Sequence, residues 1–265
     1  MLMLTHSWIL AHYLGQERFN PKLQDLYVYN ICPDFLPIHG TFNSRMTHGI
    51  SRFRPIPYEY SSANFIIFHL MVDDISHYGA INSVPESSFN PQAKGYSYLK
   101  GESLREPIMD FYRMHGEPID ISTASYQSHM IIEMTFDLAL YWGAPEESGK
   151  LLTHMCDAVR RTIEEKMEEF SRTAGWFYDV HPEEIEAAMK KCYPLYNKTS
   201  MEEFMTLEGR VHAFFRKFCP ALLNTGAKAT LTSIMQNGIA LVKDYRAFLP
   251  PTLKAIKDAG FSALP

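Results

Sequence analysis

The sequence predicts an all-α protein. Apolar residues recur with the 3.6-residue period of helices along most of the chain, and no strong run alternates with the period of a strand. Pro, Gly and capping residues punctuate the periodic stretches where helices would start and stop. The composition fits a globular chain with a sizeable core: 265 residues, 46% hydrophobic and 21% charged.

Residues 5–16 read as a first helix. Residues 21–31, PKLQDLYVYNI, read as a second, opened by Pro21 and closed before CPDFLP. Residues 32–60 carry Pro33, Pro37, Gly40, Gly49, Pro55 and Pro57 and are expected as loop. Residues 61–78 form a strongly apolar helix with Gly79 as its stop. The Ser, Asn, Pro and Gly of 79–101 predict an irregular stretch. A helix follows over 102–115, then a second strongly apolar one over 123–142. Beyond Gly143 the pattern turns amphipathic and charged, first in PEESGKLLTHMCDAVRRTIEEKMEEFSRT and then in HPEEIEAAMKKCY, with Pro182 in the first turn. TSMEEFMTLEGRVHAFFRKFC places Ser200 three residues before Glu203, a capping-box pattern, and a last helix over 228–248 ends before Pro250 and Pro251. These segments amount to about eight helices. There is no internal repeat and no low-complexity tract.

Composition and patterning also exclude function classes. The net charge of -5 argues against a general nucleic-acid-binding surface. No run approaches 18 uninterrupted apolar residues, so no transmembrane helix is expected. The opening MLMLTHSWILAHYLGQ lacks a basic n-region and a small-residue cleavage site, so the expectation is either a cytoplasmic protein or one whose signal has been removed. Cys32, Cys156, Cys192 and Cys219 are scattered, make no CxxC pair and are expected as buried free thiols.

The chemistry lies in the two apolar helices. FIIFHLMVDDISHYGA, residues 65–80, carries His69, Asp73, Asp74 and His77 in a run otherwise suited to burial. Buried charge is costly unless it is paired or bound to metal. Residues four apart on a helix differ by about 40° in direction, so His69, Asp73 and His77 form a ladder within about 80° of arc. Asp74 points to another face and needs a partner of its own. The ladder recurs as His129, Glu133 and Asp137 in the second helix. A single His–carboxylate pair at this spacing can be a local salt bridge, but two such ladders on two apolar helices favour metal. Zinc takes imidazole nitrogen and carboxylate oxygen converging from different elements. Asp34 in CPDF, His48 in RMTHGI and His6 in THSWIL are further candidate ligands, the first two expected on loops.

The ordered string His6, Pro33-Asp34, His48, His69-x-x-x-Asp73, His77 and His129-x-x-x-Glu133 resembles the zinc-dependent phospholipase C superfamily. That group includes bacterial phosphatidylcholine-hydrolysing phospholipases C and the single-strand-specific fungal nucleases. HLMVDDISH is also similar to the metal block of glycosylphosphatidylinositol-specific phospholipase D. The resemblance covers residues 4–142 and implies a phosphodiester hydrolase with a multi-helix fold. It implies one zinc held by Asp34, His48, His69 and Asp73, and a second held by His77, His129 and Glu133 with Asp34 bridging. It implies a third shared by Asp73, His6 and the terminal amino group, which the family supplies from an N-terminal Trp where this chain has Met1. Paired zincs activate water and clamp a phosphoryl group, and Asp34 would orient or deprotonate that water. The implied substrate is a small phosphodiester or a phospholipid, with nucleic acid less favoured.

Residues 1–142 then form a metal-binding catalytic core with 79–128 as an insertion, and 143–265 add C-terminal helices packed on the same domain. Two other readings stay open. One is a di-iron carboxylate oxidoreductase. The other is a non-catalytic helical protein whose metal is structural, with closed coordination. His39 is an alternative to the favoured His48, and Asp137 is either a partner that orients a ligand His or part of a salt bridge within its helix. His12 is read as structural, and His115, His154, His181 and His212 as surface or capping residues. Phe53, Tyr58, Tyr60 and Phe65 are read as core aromatics in preference to pocket lining.

Overall fold

The apolar helix over 61–78 needs a partner on nearly every face, and the architecture supplies one. The computed structural model describes residues 2–82, 94–223 and 226–262, and every regular element among them is helical. Residues Asn64–Tyr78 form α4, with α1 (Met3–Leu14), α2 (Asp25–Phe35) and the short α3 (Ser44–His48) before it. After it come α5 (Tyr96–Gly101), α6 (Arg105–Met114) and the long α7 (Ile121–Gly143). The second half contributes α8 (Pro145–Glu165), α9 (Met167–Tyr178), α10 (Pro182–Cys192), α11 (Lys198–Phe204), α12 (Leu207–Phe218), α13 (Ala227–Leu241) and α14 (Leu249–Asp258).

The helices outnumber the roughly eight expected because local caps break the periodic stretches. The Ser200 capping box is replaced by two other caps. Asn197 accepts the Ser200 N–H at 3.0 Å to start α11, and Thr206 accepts the Gly209 N–H at 3.0 Å to start α12. Pro250 and Pro251 do not end the last helix. They sit in the first turn of α14, where a missing N–H has no intrahelical partner to lose. Asp34 and His48 are on helix ends rather than loops: α2 continues through Pro33 to Phe35, and His48 closes α3. Within the expected irregular stretch, 96–101 is helical and 83–93 lies outside the described residues. Gly79 stops α4 as expected, in the left-handed conformation with φ 80°.

Two apolar clusters organise the interior. The larger gathers side chains of α1, α2, α4, α8, α9 and α10, among them Leu10, Ile31, Phe68, Met155, Phe177 and Ile185. The smaller joins α6, α7, α12 and α13 through Phe111, Ile131, Phe215 and Leu231. α7 serves both, with Phe136 and Leu140 in the first and Ile131 and Ile132 in the second. α4 packs against α2 and α5, and α7 against α5, α6 and α13. The two ladder-bearing helices are thus interior elements walled by the rest.

Asp137, left open by sequence, is neither a His partner nor a local helix pair. Its carboxylate accepts the Thr5 N–H at 2.9 Å and the Thr5 hydroxyl at 2.5 Å, and pairs with Arg210 at 3.0 Å. All three residues are fully buried. The carboxylate satisfies an otherwise unpaired N–H in the first turn of α1 and ties that helix, with His6, to α7 and α12. The four cysteines are buried and free. Phe65 is a core aromatic, whereas Phe53 and Tyr58 are exposed and Tyr60 stacks on Trp176.

Candidate metal centre

The eight candidate ligands fall into three sets, each of two imidazoles and one carboxylate. They are His6, His69 and Asp73; Asp34, His48 and His69; and His77, His129 and Glu133. Within each set one atom per residue lies within 4.8 Å of the others. His69 belongs to two sets, and α4 reaches all three through the His69–Asp73–His77 ladder. The predicted arc on one helix face therefore becomes a row of sites along that helix.

Asp73 is the hub. Its Oδ1 lies 3.2 Å from His6 Nε2, and its Oδ2 lies 3.3 Å from His69 Nε2 and 3.4 Å from His48 Nε2. Asp34 Oδ1 lies 3.6 Å from His48 Nε2 and 3.8 Å from His69 Nε2. Two ligand atoms about 2 Å from a tetrahedral zinc stand about 3.3 Å apart, so these separations suit a shared cation. The His6 and His69 rings stack at 3.6 Å. In the third set His77 Nε2 meets Glu133 Oε1 at 2.8 Å. The His129 ring stacks on Tyr98 at 4.3 Å and meets the Tyr126 ring at 4.9 Å. Asp34 groups with His48 and His69, and not with the third set. The terminal amino group implied for a third zinc belongs to Met1, outside the described residues.

Supporting contacts orient the imidazoles. His69 Nδ1 meets the Asn30 carbonyl at 2.6 Å, which makes Nδ1 the protonated nitrogen and leaves the Nε2 lone pair towards the carboxylates. His48 Nδ1 lies 3.1 Å from the Ser44 carbonyl. Asp74 turns away from the row, as its position on the helix requires, and meets Arg52. Arg52 Nε and Nη2 donate to its two oxygens at 3.0 and 2.7 Å, and the Asn82 N–H adds a third bond at 3.0 Å. Arg52 Nη1 donates to the His48 carbonyl at 2.7 Å and the Ile50 carbonyl at 2.5 Å. Asp74 therefore pins the chain segment that carries His48. On the opposite side, Gly95 donates its N–H to the His77 carbonyl at 2.8 Å, and a Cβ there would collide with the Ser76 carbonyl. That close approach lets α5 bring Tyr98 onto His129.

The charges are tightly balanced. Burial would raise the Asp34 and Asp73 carboxyls, but His69, His48 and His6 hold Asp34 below its ordinary value, and surrounding positive charge, with His69 and His6 in it, holds Asp73 well below. Glu133 is likewise lowered against burial, with His77 and His129 contributing. Burial would lower His48, yet its hydrogen bonds to Asp34 and Asp73 push it up to about 9. Burial and the neighbouring His6 push His69 down to about 4, and burial pushes His129 down to about 3 with His77 adding to it.

The donors fit zinc. Nitrogen and oxygen ligands converge from different helices. His69 Nε2, His129 Nδ1 and Asp34 Oδ2 are buried atoms without a hydrogen bond, as ligand atoms or their immediate neighbours would be. Sequence reasoning missed the supporting residues: Asn30, Arg52, Tyr98 and Tyr126. It also missed Lys217 of α12, whose ammonium burial pushes below its ordinary value against the opposing pull of the Asp34 and Glu133 carboxylates. The Glu133 and Asp34 charges also add to the upward push that burial gives the Tyr126 phenol. His39 joins none of the sets. His12 bonds the Trp8 carbonyl, and His154 packs between Phe19 and Tyr27. Comparison of the chain with protein families, curated proteins and solved structures returns no match.

Proposed function

We propose that the protein is a zinc-dependent phosphodiester hydrolase of the phospholipase C type. The observation that carries this reading is the meeting of all eight sequence-predicted ligands in three adjoining sets of two imidazoles and one carboxylate. His69 has one free nitrogen, Nε2, and could serve only one ion of the two sets that share it. An ion held by three protein ligands or fewer would keep a coordination position for water or substrate, as catalytic zinc sites do, whereas structural sites are closed. Bound zinc would supply a Lewis acid for the phosphoryl oxygens and an acidified water.

The chain's own residues divide the remaining work. Asp34 is the proton acceptor in this reading, since it stays ionised and its side chain is 20% exposed. His6, His69 and Asp73 are deeper and hold position. Tyr98 and Tyr126 fix the His129 ring. The substrate class is a small phosphodiester or a phospholipid. No helix among the described residues is long and apolar enough to cross a membrane.

The test is hydrolysis of a chromogenic phosphodiester that chelation abolishes and added zinc restores. A zinc-loaded chain inactive on chromogenic, nucleotide and lipid diesters would return the centre to a structural role. Two His and one carboxylate also match open non-haem iron sites. Iron near two per chain with a visible band, in place of zinc, would favour the redox reading.

A second expected result concerns protons. With its value near 9, His48 is protonated at pH 7 in the metal-free protein, and zinc needs it neutral. His69 and His129 are already neutral there. Zinc binding at pH 7 should therefore expel about one proton from His48, and none above its titration. Calorimetry of zinc binding in buffers of different ionisation enthalpy measures this, with His48→Gln as the reference. Equal proton release from wild type and His48→Gln would remove His48 from the ligand set.

A further inference from the structure

Asn30 is fully buried on α2, and both polar atoms of its side chain lack a hydrogen-bond partner. An unsatisfied buried polar group is costly, and a Leu of similar size would incur none of that cost. Its surroundings are those of the centre. The Asn30 carbonyl holds His69 Nδ1 at 2.6 Å. Asp34 stands four residues later, one turn along the same face of α2. Asp34 Oδ2 is itself a buried oxygen without a hydrogen bond, and so is the nitrogen His69 Nε2, which lies 3.8 Å from Asp34 Oδ1. The unsatisfied atoms of Asn30, Asp34 and His69 thus belong to residues joined by direct contact or by one helical turn. One of them, Asn30 Nδ2, is a donor, and the others accept.

Resting on the zinc reading above, we propose that Asn30 is a positioning residue of the centre, whose amide holds the Asp34 carboxylate in place through one bound water. Residues at this helical spacing have Cβ atoms about 5–6 Å apart. An Asn and an Asp there are too far apart for their short side chains to meet easily, and near enough for a single water to bridge. Such a water needs two to four polar partners. Asn30 Nδ2 donates to it or Oδ1 accepts from it, and Asp34 Oδ2 accepts from it. The carboxylate then keeps Oδ1 turned to His48 and His69. Because Asn30 is enclosed, the bridging oxygen is that of water and not of substrate.

The proposal makes stability and metal affinity move differently. In Asn30→Leu the amide and its bridging water give way to apolar surface of similar volume, so the metal-free protein should stay folded with a thermal midpoint little changed, apolar burial offsetting the lost polar contacts. Zinc affinity at the Asp34–His48–His69 set should fall by about 10- to 100-fold, the usual effect of losing a ligand's supporting contact. The measurement is competition against a chelating dye in the His129→Ala background, which takes the third set out of the titration. Zinc affinity unchanged by Asn30→Leu overturns the proposal. If Asn30→Leu fails to fold for reasons of shape, Asn30→Ala carries the same expectation of weakened zinc binding in a folded chain. An Asn30→Ala chain that unfolds, or that binds zinc normally, also overturns it. A wild-type chain that binds zinc but cleaves no diester sinks the hydrolase reading and leaves this measurement standing, whereas one that binds no zinc sinks both.

Discussion

Asp73→Asn is expected to empty the His6 side of the centre of zinc and lower diesterase activity by more than the 10- to 100-fold that a supporting residue costs. The reason is that both carboxylate oxygens are used. Oδ1 faces His6, and Oδ2 faces His69 and His48. An amide of the same shape has one acceptor oxygen and an NH2 that cannot ligate. Whichever way it turns, one side meets donor hydrogens where a cation should sit. Zinc per chain and diesterase rate, measured beside the exposed Asp157→Asn, check this. A full zinc complement in Asp73→Asn would mean that the carboxylate only bonds imidazoles and that the centre lies elsewhere on α4.

Asp74→Asn has the second large effect, on stability first. The Asp74 side chain is 1% exposed and that of Arg52 5%, and they form a two-point pair. Removing one partner of a buried pair strands the other charge, at about 3–5 kcal/mol. For a chain of this size that corresponds to a fall in thermal midpoint of roughly 10 °C. The helical wheel alone argues for a modest role, since Asp74 points away from the ligand row. Arg52 changes that, because its Nη1 also holds the His48 carbonyl. Zinc affinity should therefore drop along with stability. The double variant Arg52→Met/Asp74→Leu separates the two, because exchanging both charges for apolar groups should restore much of the stability without restoring the anchor on His48. A thermal midpoint for Asp74→Asn within a degree of wild type would show that the pair carries no net stabilisation.

The legibility of the candidate site followed helix geometry. His69, Asp73 and His77 could be placed on one face because their relative directions are set by the helical repeat within one element. His129 and Glu133 were legible for the same reason. Asp34 and His48 were legible as residue types in an ordered string, but their setting was misread. Proline-rich sequence suggested loop, whereas α2 tolerates Pro33 close to its end and α3 supplies one short capped turn. The supporting residues left no local signal. Arg52 looks like any surface arginine until Asp74 is found opposite it, and Asn30 looks like a polar residue in an amphipathic helix until it is found enclosed.

By itself the sequence determined the helical class, the two apolar helices and the His69–Asp73–His77 and His129–Glu133 spacings, because helical periodicity and side-chain chemistry are properties of short stretches, whereas His6, Asp34 and His48 were candidates ordered by a family resemblance. Only the tertiary structure decided which candidate residues share a set, that Asp73 and not Asp34 is the hub, and that Arg52 and Asp74 brace His48. It alone showed that Asp137 ties α1 to Arg210 of α12, bringing the C-terminal helices into the support of His6. The physical reason is one of range. A helix fixes the relation of residues up to a few turns apart. The relation of His6 to His69, or of Thr5 to Arg210, depends on how separate helices pack, and that is settled by the burial of the whole apolar surface at once.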